Sequence, residues 1–517
     1  MPINYAFRIV VAIGLHLAFW AIPMPAADCD DWNTGDYFTV ATVQDVAACL
    51  QAGTGLRARD KDGNTPLHHA ARRSRNPAIV KVLLDAGADI RARNRRAQTP
   101  LHIAARSRRP PAVIAVLLES DADPRARTDY GTTPLHEAAA YATNLAVITM
   151  LLDAGADIEA RDEDGDTPLH RAAWLNRNPA VINRLLEAGA DIKAQDENGV
   201  TPLHSAAGRN RNPAIIAALL NAGADIKAED KWGNSPLLRA SADNLSPAVI
   251  TALVDAGADI NAADKRGSSP LHRVVGNNRN PAVLAALLDA GAEVETRDKR
   301  GWTPLHTAAM GNRNSSIITA AVAALVKAGS DIEARDYAGL TPLHAAAWLN
   351  PNPEVITTLV EAGADINAED KRGLTPLHHA AGSNRNPAVT QALLQAGADL
   401  KARSGIGNTP LHEAGGPAVI AALLDGGADI KARNEDGETP LHRAARQIWN
   451  PSVVTALLNA GADIRARDDN GNTPLHHAAY RNEKLAITAT LLEAGADLEA
   501  QDKDSEATPL HLSLIHI

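Results

Sequence analysis

Histidine is the side chain in this sequence with the most obvious capacity for chemistry at neutral pH, as a proton shuttle or a metal ligand. The 517 residues include 18 histidines. Thirteen of them follow Thr-Pro-Leu or Ser-Pro-Leu, at His68, His102, His136, His170, His204, His272, His306, His344, His378, His412, His442, His476 and His511. Such regular copying assigns these rings a structural task, bonding the backbone of an adjoining extended segment. Successive copies would lie about one helix packing distance apart, ~8–10 Å, too far to share a metal ion. In the adjacent pairs His68-His69, His378-His379 and His476-His477 the two rings must leave the helix on different sides. No zinc site is expected.

Acidic turns such as Asp60-Lys61-Asp62-Gly63 bear a superficial likeness to calcium loops. An EF-hand loop needs Asp-x-Asp/Asn-x-Asp/Asn-Gly and a distal Glu. The turn here is one step too short and lacks that Glu, so its glycine is read as supplying a positive φ in a tight turn. There is no nucleophile elbow, no phosphate-cradling glycine loop and no Cys-x-x-Cys. Neither catalysis nor a cofactor is expected.

What must position these residues is a repeating unit. The Thr or Ser before Pro-Leu stands at Thr65, Thr99, Thr133, Thr167, Thr201, Ser235, Ser269, Thr303, Thr341, Thr375, Thr409, Thr439, Thr473 and Thr508, mostly 34 residues apart. In the unit beginning at Thr167, the threonine can cap a helix and Pro168 suits its first position. Leu169, Ala172 and Ala173 make a short, small-sided helix. A second helix starts with Asn178 as cap and Pro179 at its first position. Val181, Ile182, Leu185 and Leu186 give it one apolar face, and Gly189 fits a left-handed stop. The run from Asp191 to Asp196, with Gly199 in the turn, is an extended finger leading to the next threonine. Two such helices cannot bury their face alone, so the units must stack.

Thr-Pro-Leu-His-x-Ala-Ala, a Leu-Leu pair and Ala-Gly-Ala-Asp-Ile-x-Ala-Arg-Asp-x-x-Gly together resemble the ankyrin repeat, over roughly Trp32 to His511. The resemblance implies a mainly α, curved solenoid whose partners are gripped by the finger tips and the inner face of the first helices. The departure from the family's usual length lies between the helices, where Asn-Arg-Asn-Pro adds one residue and an Asn-Pro helix start. Two steps break the rhythm: Thr303 to Thr341 is 38 and Thr409 to Thr439 is 30. Each differs by about one helical turn. A longer second helix is expected in the first, and a turn lost near Glu413 to Gly416 in the second.

Residues 1–27 read as a secretory signal: Arg8, an apolar run from Ile9 to Ile22, and small residues before Asp28. The run is short for a membrane span of roughly 20 residues; an uncleaved anchor is the alternative. Cys29 and Cys49 are the only cysteines, and in an exported chain they suggest one disulfide. It would tie the N-terminus into a capping repeat over residues 28–60, followed by about 13 repeats over 61–507 and a truncated one over 508–517. Leu512 to Ile517 also match the translation of CTGTCTCTTATACACATC, a sequencing-library adapter end, so these six residues are expected to be read-through.

Binding is the remaining function class. Ankyrin contact positions are the two residues after the finger Asp, the one before Thr, and the two after Ala-Ala. Tyr130, Tyr141, Trp174, Trp232, Trp302, Tyr337, Trp348 and Tyr480 fall on them; among the aromatics after residue 57 only Trp449 does not. Aromatics are typical interface anchors, although a tight core that excludes rings would also drive them outward. Trp174 and Trp348 have a second reading, covering a helix end. Charge adds a patch: residues 57–127 carry 16 basic and 7 acidic side chains within a chain of net −10. Arg72, Arg73, Arg95, Arg96, Arg106, Arg108 and Arg109 contribute, either as a solvated surface or as a site for anionic protein, glycan or lipid. The expectation is an exported, periplasmic or secreted, bacterial and monomeric scaffold for unidentified proteins, without nucleic acid or a membrane span in the mature chain. Alternatives are a secreted effector, an arm of an enzyme continuing past Ile517, and an inert spacer.

Overall fold

The structure, a computed structural model, describes residues 29–107, 111–311, 315–447, 450–480, 485–503 and 506–514. The expected signal peptide, Arg108, Arg109 and Trp449 lie outside these residues, as do Ile515, His516 and Ile517 at the end. Among the described residues the regular structure is helical, with 29 α-helices, one short 3-10 turn and no strand. None of these helices is long and apolar enough to cross a membrane. The chain divides into two compact units, Met1–Glu163 and Asp164–Ile517.

The first unit opens with a cap. Helices Tyr37–Val40 and Val43–Gln51 pack on the two helices of the next repeat, Pro66–Arg73 and Pro77–Asp85. Cys29 and Cys49 are disulfide-bonded, with Cα atoms 5.7 Å apart. Closing a loop of this size adds roughly 3 kcal/mol on the chain-entropy argument. Trp32, Tyr37 and Phe38 fill the cap, all buried, with ring centroids 5.0–5.7 Å apart. This cluster is where the chain spends three of its few rings as core. Two further helix pairs follow, Pro100–Arg106 with Pro111–Glu119 and Pro134–Tyr141 with Leu145–Asp153.

The second unit stacks helix pairs from Pro168–Leu175 with Pro179–Glu187 to Pro474–Ala479 with Leu485–Glu493, then ends in Pro509–Leu514. First helices pack on first helices and second on second. Leu169, Ala172 and Ala173 on one side, and Val181, Ile182 and Leu185 on the other, are wholly buried. Each Leu, Ile or Val so covered contributes ~1.5–3 kcal/mol. Gly189 stops the second helix at φ 95°, and the following Ala190 N–H returns to the Leu185 carbonyl at 3.0 Å.

Both irregular steps resolve as whole turns. The longer step gives the second helix Ser315–Lys327 13 residues where its neighbour Pro281–Asp289 has 9. The shorter step cuts the first helix to Pro410–Glu413, 4 residues against the usual 8. The shortened segment sits directly on the preceding repeat: Gly415 N–H donates to Ala381 at 2.9 Å. A Cβ on Gly415 would meet the Gly382 carbonyl oxygen at 2.8 Å, so only glycine fits.

The Asn-Arg-Asn-Pro loop does more than start a helix. Its second Asn caps as expected, Asn212 Oδ1 accepting from Ala214 N–H at 3.1 Å. Its first Asn reaches back to the preceding repeat. Asn244 Nδ2 donates to Ala207 and Asn210 carbonyls, both at 2.8 Å, and Asn210 does the same to Ala173 and Asn176 at 2.9 and 2.7 Å. Asn278 and Asn384 continue the pattern. A buried asparagine ladder therefore joins the carbonyl ends of successive first helices in the second unit.

Candidate functional site

Most of the histidines after Pro-Leu are bonded at both ring nitrogens. Thr303 N–H donates to His306 Nδ1 at 3.2 Å, and His306 Nε2 meets the Leu340 carbonyl of the next finger at 2.9 Å. An amide can only donate and a carbonyl can only accept, so the ring is the neutral Nε2–H tautomer, acceptor at one end and donor at the other. This is a capping box with histidine in the place of Glu. The same pair of bonds recurs at His68, His204, His344 and His442. Burial holds His68, His102, His344, His412 and His442 down to about 4, only partly opposed by the carbonyl bond. Rings so committed are unsuited to proton transfer near pH 7.

The second histidine of each adjacent pair turns to a different partner, the finger carboxylate. His379 Nε2 lies 3.0 Å from Asp370 Oδ2 and His477 Nε2 2.8 Å from Asp468 Oδ2; His69 faces Asp60 in the same way. Burial disfavours the Asp370 carboxylate, but His379 and the Leu374 and Arg372 amides outweigh it and hold it down to about 2. Arginine fills the histidine's role at Arg239 with Asp230 and at Arg273 with Asp264. Among the described residues no three His, Cys, Asp or Glu side chains are gathered to hold a metal ion. The acidic turns behave as turns: Asp60 Oδ1 accepts from Asp62 and Asn64 N–H groups, both at 2.8 Å, and Gly63 has φ 79°.

The aromatic residues separate into three groups. Tyr130, Trp232, Tyr337 and Tyr480 are 63, 50, 66 and 58% exposed. In the first unit Tyr130 stands on a finger; in the second, Trp232 and Tyr337 stand on fingers and Tyr480 at a first-helix end. Tyr141, Trp174 and Trp348 are half-buried. The Arg106 guanidinium covers Tyr141 at 4.6 Å, and Arg171 and Arg209 flank Trp174 at 5.5 and 5.4 Å. Trp302 departs from expectation. It is 4% exposed, its Nε1–H donates to Asp336 at 2.9 Å, and Arg300 lies over its ring at 4.1 Å. The position before Thr is turned inward, because its carbonyl receives the histidine of the preceding repeat; Val200, Leu340, Asn408 and Glu438 are buried there too, and Asn64, Asn234 and Leu374 half-buried. Conversely, Ile406 occupies the finger-tip position of Tyr130 and Trp232 and is 49% exposed. An aromatic-only search passes over it.

The basic residues also divide. Arg59, Arg93 and Arg127 belong to the fingers: Arg59 Nη1 donates to the Arg93 carbonyl at 2.6 Å, Arg93 Nη2 to Arg127 at 2.9 Å, and Arg127 to Arg161. Arg72, Arg73, Arg95, Arg96 and Arg106 instead line one cleft of about 660 Å³. Arg72 and Arg73 end one first helix, Arg95 and Arg96 stand on the finger that follows, and Arg106 ends the next first helix.

A family model described as ankyrin repeats (3 copies) matches residues 40–128, 113–196, 169–264, 271–370, 343–434 and 413–502. No curated protein is similar enough to match the chain. The matched segments account for most of the sequence.

Proposed function

The chain belongs to the ankyrin-repeat family, a family of protein-interaction modules, and from that premise we propose that it is an exported, non-catalytic scaffold that grips partner proteins by its finger tips. The observation that carries this reading is the contrast between rings. In a chain with only 3% aromatic residues, Tyr130, Trp232 and Tyr337 are left in solvent at finger tips while Trp302, one position from a helix cap, is drawn inside. Large exposed rings on a rigid support lose little entropy on binding, which suits them as anchors. The neutral, doubly bonded histidines support the absence of catalysis along the repeats. Export to the periplasm or beyond is supported by the Cys29–Cys49 bond, which persists in oxidising compartments.

The test is affinity capture from the envelope and secreted fractions of the native organism, with the wild-type chain and a Tyr130/Trp232/Tyr337→Ala chain as parallel baits. A protein held by the first and released by the second supports the reading. Identical captures by both baits would count against it.

A further inference from the structure

We propose that the arginine cleft of the first unit is a docking site for a short, extended, acidic segment of a partner protein. The inference rests on the scaffold reading and specifies one of its contacts.

The cleft is built around missing counter-charges. In five other repeats the finger carboxylate meets a cation nine residues on, as in Asp60 with His69, Asp230 with Arg239 and Asp370 with His379. In the repeat that forms the cleft those two places hold Asn94 and Ile103, both neutral, and both line it. Arg72, Arg73, Arg95 and Arg96 form no ion pair with a carboxylate among the described residues. Arg73 Nε is buried without a hydrogen-bond partner, 3.2 Å from where a Cβ on Gly35 would stand. Arg106 approaches Glu137 only to 4.0 Å. Asp62 is the single carboxylate of the lining among the described residues. Guanidinium groups gathered without partners repel one another, and an incoming anion relieves that repulsion.

The form of the cleft selects the anion. Its arginines come from two successive repeats, which stand ~8–10 Å apart. Arg72, Arg73, Arg95 and Arg96 together carry more positive charge than one compact anion balances. An extended chain places every second side chain ~7 Å along one face, so alternate Asp or Glu residues can each meet a planar guanidinium, which pairs with carboxylate in two-bond fashion. Among the described residues no ring lines the cleft on which a nucleic-acid base could stack. The basic run, +9 over residues 57–127, lies in a chain of net −10, so a long polyanion would meet repulsion outside it. A short acidic peptide meets none of these objections.

The experiment titrates the full chain with a fluorescent 12-residue peptide of alternating Glu and Ser, and with the same peptide carrying Gln for Glu. An Arg72/Arg95/Arg96→Gln chain is compared with a Lys193/Arg211/Arg385→Gln chain, which loses equal charge at exposed sites elsewhere. Circular dichroism and thermal midpoints check that both fold. The expected result is binding of the Glu peptide alone, weakened at least tenfold in the cleft variant, less than twofold in the control, and reduced by added salt. Absence of binding, equal loss in both variants, or tighter binding of a 12-nucleotide single-stranded DNA or a heparin hexasaccharide would overturn the proposal. The capture experiment separates the two readings. Partners still lost on Tyr130/Trp232/Tyr337→Ala, with no peptide binding, remove the cleft assignment alone; peptide binding with no captured protein removes the scaffold reading alone.

Discussion

At the scale of single residues, Trp232 and Trp302 show how little residue type says about role. Both are tryptophans near a finger, yet Trp302 donates a hydrogen bond to Asp336 from the interior while Trp232 stands in solvent. A buried bond to a carboxylate contributes about 1.5–3 kcal/mol. Trp302→Phe should therefore destabilise the surrounding repeats by that order and leave partner capture intact. Trp232→Ala should leave stability within about 0.5 kcal/mol and weaken capture. Urea unfolding beside pull-down separates the two; loss of capture in Trp302→Phe without loss of stability would contradict the assignment. The structural role of the repeated histidines was legible from their repetition. Which nitrogen accepts was not, because that depends on the partner across the repeat boundary. The burial of the position before Thr was missed for the same reason: the demand on its carbonyl comes from the preceding repeat.

At the scale of elements, periodicity and capping residues specified nearly every helix, and even the two irregular steps. Helix starts are local chemistry, Thr-Pro and Asn-Pro, and local chemistry is readable. The asparagine ladder was not, since its bonds span 34 to 37 residues. Asn244→Ala would strip hydrogen bonds from the buried carbonyls of Ala207 and Asn210 and from the Ser246 N–H, costing roughly 2–4 kcal/mol. Ser74 holds the corresponding place in the first unit, and its hydroxyl bonds within its own loop, to Asn76. Ser74→Ala should cost about 1 kcal/mol. Hydrogen exchange across residues 202–255 and 66–85 would measure both, and equal effects would refute a stitching role for the ladder. The cap core of Trp32, Tyr37 and Phe38 was also passed over, because it follows no repeat pattern and only its disulfide was marked by composition.

At the scale of the molecule, the buried histidines couple stability to pH. Their folded values, about 4 for His68, His102, His344, His412 and His442, lie below the ~6.5 of an unfolded histidine. The unfolded chain thus takes up protons first as pH falls. The stabilisation is fully present above pH ~6.5 and is lost toward pH 4, on the order of 3 kcal/mol for each histidine. The depressed Asp370, held down to about 2, adds its loss only at lower pH. Urea midpoints should fall steeply between pH 6.5 and 4; midpoints unchanged across that window would contradict the neutral capping role.

The family and its stacked helices were readable from the repeat alone, whereas the binding surface was read only in outline, since exposure is decided by packing between repeats. The central claim is that partners are gripped by exposed finger-tip rings. The measurement that tests it most directly is the paired capture with wild-type and Tyr130/Trp232/Tyr337→Ala chains, both verified as folded. The account predicts at least one protein retained by the wild type and lost by the variant. The same set of proteins retained by both would contradict it.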